Sequence, residues 1–244
     1  MALDPPMEVV QLLNFIGVDW PMVNEDTVRE VAGYVQQFAD NIQQSHQDAT
    51  DTIQQMSAAY QGASYEKLVQ RWADMSSSHM NELLEGCKVV VAALHAAADF
   101  IVAQKGVAIA ELIVLAASFV ADQAAAVVTF GLAEAALAGI ELAARKAMEF
   151  LEQQLEQYII AQVVEAGFKA LEPIIQRALD GFVFQAASAV LGTSGGAVGG
   201  AVGSSFQVDP DQLRSHAQVL HGHADTVASH AQVLTGQLTG VSFA

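Results

Sequence analysis

His216, His223 and His230 stand seven residues apart near the end of the chain, with His221 among them. On a helix that interval separates neighbours by about 10 Å, too far for one metal ion, and His221 and His223 point to different faces. The three read as polar positions of a heptad helix, so no metal site is assigned. What remains to them is a pH response, since imidazole titrates near roughly pH 6.5 and protonating all seven histidines offsets part of the acidic charge. The carboxylates are scattered along helices as a solvated face, with no nucleophile or phosphate loop beside them. Gly195, Gly196, Gly199, Gly200 and Gly203 form a glycine run, but no Gly-Lys-Ser/Thr follows it and no strand precedes it, so it reads as a linker. Cys87 is the only cysteine, which excludes an intrachain disulfide and a cysteine metal cage. No catalytic residue and no cofactor are assigned, and the expectation is a protein that is not an enzyme.

The elements that carry these residues are helical. Hydrophobic residues make up 52% of the 244, and alanine, leucine, valine, glutamine and glutamate dominate while proline is held to five. These side chains lose little rotamer freedom in a helix, so the class is all-α. Ten Lys+Arg against 27 Asp+Glu give a formal charge of -17, which repels phosphate backbones and excludes nucleic acid as a partner. The opening MALDPPMEVV has no basic n-region, and Glu8, Gln11 and Asn14 break the apolar stretch that follows, so no cleaved signal peptide is expected.

Asp4 before Pro5 and Pro6 predicts the start of a short helix that ends at Gly17, and Trp20-Pro21 an extended link, together spanning 1–23. Asn24 caps a long amphipathic helix whose apolar residues recur at Val28, Val31, Val35, Phe38, Ile42, Ala49, Ile53 and Met56. Tyr60-Gln61-Gly62 interrupts it, and Gly62 can take the left-handed conformation that ends a helix. The pattern resumes through Tyr65, Leu68, Trp72, Met75, His79, Leu83, Cys87, Val90, Leu94, Ala97 and Ile101, so residues 24–104 read as an antiparallel helical hairpin. Two further alanine-rich helices are expected over 105–184, then a Gly/Ser-rich linker over 185–205. Over 206–244, Asp209-Pro210 caps a separate amphipathic helix with the stripe Leu213, Ala217, Leu220, Ala224, Val227, Ala231 and Leu234. The hexapeptide SHAQVL occurs there twice, at 215–220 and 229–234. The expected architecture is an elongated helical bundle built on the hairpin.

Between Gly106 and Arg145 two uninterrupted apolar pieces, Leu112 to Ala121 and Ala124 to Ala133, are each short of the roughly 20 residues that span a bilayer. Glu111, Asp122, Glu134 and Glu141 punctuate the region. A mid-membrane carboxylate costs several kcal/mol unless it faces water or a partner, so the region reads as a buried bundle or an oligomer interface. The alternative is a membrane-inserting channel formed by residues 106–182, with these carboxylates lining its lumen.

Tyr60-Gln61-Gly62-Ala63-Ser64-Tyr65-Glu66-Lys67-Leu68, followed by Trp72, resembles the Trp-x-Gly turn and second helix of the WXG family of type VII secretion substrates, with Tyr60 in place of the tryptophan. The resemblance implies a secreted or cell-surface protein whose hairpin pairs with itself or with a small helical WXG-family protein in a four-helix bundle. It also implies contact with the type VII (ESX-like) machinery, and an aromatic at position 60 beside the turn. Residues 1 to about 184, with Gly17-Val18-Asp19-Trp20-Pro21 ahead of the hairpin, resemble the N-terminal module of actinobacterial polymorphic toxins, which implies delivery and channel formation. Phe206-Gln207-Val208-Asp209-Pro210-Asp211-Gln212-Leu213 is similar to the opening of a secretion-associated family of small type VII substrates. The Tyr-x-x-x-Asp/Glu export signal is absent, because Phe38, Ser64, Val69 and Gln162 stand four residues after Tyr34, Tyr60, Tyr65 and Tyr158.

Overall fold

The protein, seen here as a computed structural model, is all-α. The structure describes residues 3–21, 23–126, 132–158 and 207–242, and of these all side chains but those of 123–126, 132–135 and 207. The expected Gly/Ser-rich linker, the later alanine-rich helix, most of the Ala124 to Ala133 run and the Glu134 side chain lie outside that description. The helices are α1 (Met7–Ile16), α2 (Glu25–Ala59), α3 (Ala63–Met75), α4 (Asn81–Ala126), α5 (Leu132–Tyr158) and α6 (Pro210–Thr239), and a π-turn (Ser76–Met80) joins α3 to α4. Two short strands, β1 (Tyr60–Gln61) and β2 (Gln207–Val208), pair antiparallel, Tyr60 with Val208 and Gln61 with Gln207.

The ends of these helices show why they begin and stop where they do. Asn24 Oδ1 accepts from the backbone N–H of Asp26 at 2.8 Å and of Thr27 at 3.4 Å, capping α2 as its sequence predicts. Asp209 likewise caps α6, accepting from Asp211 and Gln212 at 3.1 Å. Gly17 closes α1 at φ 66 and ψ 41. The start of α1 differs from expectation. Pro6 holds the cap position in place of Asp4, its carbonyl accepting from Val9 and Val10 at 3.0 and 3.1 Å. The second hairpin helix also runs on, because Gly106 costs a helix only about 1 kcal/mol and α4 continues through it to Ala126.

The chain forms two compact units. The first holds the described residues up to Ala32, Ala92 to Tyr158 and the last two. Its core is Val9, Leu12, Leu13 and Ile16 of α1, Val28 and Val31 of α2, a stripe on α4 through Ile101, Ala108, Leu112 and Phe119, and Met148, Leu151 and Leu155 of α5. Burying each large side chain contributes about 1.5–3 kcal/mol. Arg145 of α5 donates to the Ile16 carbonyl, which finishes α1, and is itself held by Glu141 at 3.0 Å.

Inside this core lie Glu25, 1% exposed, and Lys105, 2% exposed, their Oε2 and Nζ 2.9 Å apart. Burial pushes the Glu25 carboxyl up, but hydrogen bonds from Lys105 and the Leu3 N–H, with the lysine's charge, more than offset it, and the net direction is down. Removing one member leaves a buried charge unpaired. Lys105→Met is expected to lower unfolding free energy by about 3–5 kcal/mol in urea titrations, with the Glu25→Met/Lys105→Met pair recovering most of the loss. Because folding lowers the Glu25 pKa, its contribution is present above the ordinary value of 4.5 and is lost as pH falls through the folded value. The double variant should therefore destabilise less than the wild type on going from neutral pH to acid.

The second unit holds the described residues Gly33–Val91 and those from β2 through Gly240. Val35, Ile42, Ala49, Ile53 and Met56 of α2, Met80 at the end of the π-turn, and Cys87 and Val90 of α4 form its core. Here α6, read from the sequence as a separate helix, docks on α2: the Asp209 N–H donates to the Ala59 carbonyl at 2.8 Å, and His223 and His230 meet Thr52 and Ser45.

Candidate interaction site at the hairpin turn

The turn is built by a residue without a side chain. Gly62 sits at φ 154 and ψ 173, outside the left-handed helical well its sequence context suggests but still in a positive-φ region open essentially to glycine alone. From there its carbonyl accepts from Tyr65 and Glu66 at 3.0 and 3.2 Å and so starts α3. Just before it, Tyr60 and Gln61 are not a plain turn, because they pair with β2.

The aromatics of the motif then descend along α2. Tyr60 meets Tyr65 edge-on at 6.2 Å, and the Tyr65 hydroxyl donates to the Ile53 carbonyl at 3.0 Å. Trp72 donates from Nε1 to Thr50 Oγ1 at 2.9 Å and stacks on the His46 ring at 4.8 Å. Tyr60, Tyr65 and Trp72 are all half-buried, Gln61 is exposed, and no residue of α3 is fully buried. Burial lowers the His46 pKa, since its ring loses water against the indole. Below it, where the π-turn shifts the phase of the helix, a groove of about 430 Å³ opens between Gln43 and Gln47 on one wall and Ser76, Ser77 and Asn81 on the other.

The remaining predicted residues are elsewhere, in the first unit. Glu111 is exposed on α4, and Asp122 lies half-buried eleven residues on, about 16 Å along the same helix. Glu141 is engaged with Arg145. Burial holds the Cys87 thiol up at about 11, so it stays a packed, protonated side chain. Among the described residues no group of three or more His, Cys, Asp or Glu side chains could hold a metal ion. His46, Thr50, Ser45 and Thr52 carried no signal of their own in the sequence. Only the seven-residue spacing of Ser45 and Thr52, equal to that of His223 and His230, could have matched them.

A hairpin of two long helices, turned at a glycine after an aromatic and lined by half-buried rings, offers a surface for recognition. Residues 5–146 match the family described as the WXG100 like domain. The chain belongs to that family. It is a helical protein related to type VII secretion, in a family whose members pair with one another and are typically non-enzymatic. Neither a curated protein nor a solved structure matches the chain.

The turn geometry gives a direct test. Gly62→Val should lower unfolding free energy by about 1–3 kcal/mol, because a β-branched residue is strained at that φ. An unchanged denaturation midpoint would mean that the reversal does not depend on glycine.

Proposed function

We propose that this chain is a non-enzymatic interaction and delivery module of a type VII secretion substrate, the front part of a polymorphic toxin. The family match, which covers the whole hairpin and both flanks of its turn, carries this reading. The hairpin is the docking element, and its partner is a small helical WXG-family protein or a second copy of the chain. A heteromeric partner supplies the export signal, in keeping with the lack of Tyr-x-x-x-Asp/Glu in this sequence. The segment that resembles a secretion-associated substrate, Phe206 to Leu213, supports the same route. Acidic faces keep the module soluble in transit. Co-expression with neighbouring small helical proteins should yield a complex heavier than the single chain by native mass measurement, exported only by cells with an intact type VII system. A chain that purifies alone under every pairing and leaves cells without that system would overturn the proposal.

One observation favours a second reading, a membrane-inserting channel. The helical run Ala63–Asp122 is long and apolar enough to cross a membrane, yet only 28% of its most apolar 18-residue window is buried. Val107, Ile113, Val114 and Val120 stand exposed on α4, and Leu142 and Phe150 on α5. Under this reading, Glu111, Asp122, Glu134 and Glu141 face the lumen, and protonation lowers the cost of inserting them. Dye release from liposomes, greater at pH 5 than at pH 7.5, is its expected signature. Vesicles that stay sealed and do not bind the protein across that range would remove it.

A further inference from the structure

Over residues 101–121, α4 has two apolar faces. Ile101, Lys105, Ala108, Leu112, Ala116 and Phe119 are buried in the first unit, the lysine through its ion pair. On the opposite side Ala103, Val107, Ala110, Val114, Ala117 and Ala121 recur at the three-and-four spacing of a heptad seam, and all six are exposed. Ile113 and Val120 border that seam on one flank, in line with Gly106, where a Cβ would meet nothing within 4 Å. Val107, Val114 and Val120 are each more than half exposed, and apolar side chains gathered on one helix face mark a contact surface.

The outer face makes almost no polar demand on an occupant. Lys105 is turned inward to Glu25, and the Ser118 hydroxyl donates to the Val114 carbonyl of its own helix at 3.0 Å. Glu111 is the one charged residue of this stretch at the surface, in a chain of formal charge -17. Lipid fits the face poorly. A helix surrounded by lipid is apolar all round, whereas the far side of this one packs a core whose buried ion pair insertion would have to open.

A second helix fits better, and the order of large and small residues selects which. The seam reads the same in both directions. In an antiparallel pair about a two-fold axis at Leu112, Ala103 faces Ala121 of the second copy, Val107 faces Ala117, and Ala110 faces Val114. On the flank Val120 faces Gly106 and Ile113 faces its twin. Each valine enters the space left by an alanine or a glycine, the alternation that close helix packing requires. A parallel pair would set valine on valine and leave alanine facing alanine. Covering these side chains removes on the order of 500 Å² per copy, or about 1,000 Å² for the pair, the lower bound for a specific interface.

We propose that the outer face of α4 from Ala103 to Ala121 is the contact surface for a second copy of this chain, packed antiparallel about a two-fold axis at Leu112. The modest area makes the dimer weak and reversible. The two Glu111 carboxylates approach each other across the axis, and their repulsion opposes pairing. The surface uses no residue of the hairpin turn, and the inference is independent of the secretion reading.

Sedimentation equilibrium of the full chain over roughly 1–200 µM should show monomer and dimer in exchange. Val114→Asp should weaken association at least tenfold, while Val219→Asp, on the exposed side of α6, should leave it unchanged. Glu111→Gln should tighten it severalfold, a gain that general apolar adhesion does not produce. A short bis-maleimide reads the orientation. Glu111→Cys chains should cross-link to each other, whereas Ala103→Cys chains should not, because antiparallel packing holds those positions about 27 Å apart. Cys87 is buried and takes no part. A chain that stays monomeric throughout, whether or not it floats with phosphatidylcholine vesicles, would overturn the proposal. So would a dimer indifferent to Val114→Asp or weakened by Glu111→Gln, or Ala103→Cys chains that cross-link as readily as Glu111→Cys chains.

Discussion

The second unit depends on a reversal of direction at a residue with no Cβ. At φ 154, Gly62 turns the chain so that α3 and the start of α4 return along α2, and its own carbonyl begins the returning helix. The consequences propagate from there. Tyr65 reaches the Ile53 carbonyl, Trp72 reaches Thr50, and the two residues before the glycine stay extended long enough to accept β2. A helix that ended in an ordinary left-handed cap would leave Tyr60 and Gln61 no extended edge to offer.

Polar groups in the two units are buried on different terms. Glu25 and Lys105 form a single closed pair, charged, nearly inaccessible and supplied with a further backbone donor from Leu3. Such a pair contributes little net stability but strongly penalises any arrangement that separates its members, so it fixes the register of α2 against α4 within the first unit. The α2–α6 contact uses neutral hydroxyls and imidazoles, only partly covered, with one ring nitrogen unmatched. The first arrangement admits one state. The second is held by partly covered polar contacts and by the strand pairing at one end.

Much of this architecture was legible in the sequence because it rests on local chemistry. Asn24 and Asp209 are short polar side chains ahead of acidic first turns, Gly17 follows the last apolar residue of α1, and the α2 stripe keeps one period from Val28 to Met56, nearly the whole helix. Asp4 misled because the helix starts only at Met7, with Pro6 at the cap position and no side-chain cap, which leaves Asp4 two residues too early to reach the first helical N–H groups. The aromatic-glycine turn could be located, but its pairing with Gln207–Val208 depends on two segments far apart in the chain with no periodic signature. In α6 both Leu-x-x-x-Ala and Leu-x-x-His fit three-and-four spacing. Only the docked neighbour decides which face is covered: of the three alanines in the predicted stripe Ala217 is half-buried, while Ala224 and Ala231 are exposed.

The repeated SHAQVL gives α6 an unusual symmetry. A slide by fourteen residues would carry His216 into the place of His230 and Leu220 into that of Leu234, so over much of its length the seam offers α2 the same side chains in two alignments. Its periodic part cannot tell them apart. What breaks the degeneracy is aperiodic: two strand residues and the Asp209 N–H on the Ala59 carbonyl, present once at one end. These few bonds act as an index mark on a ruled edge. Their contribution to stability is small, yet they decide which graduation of a thirty-residue helix is read as zero.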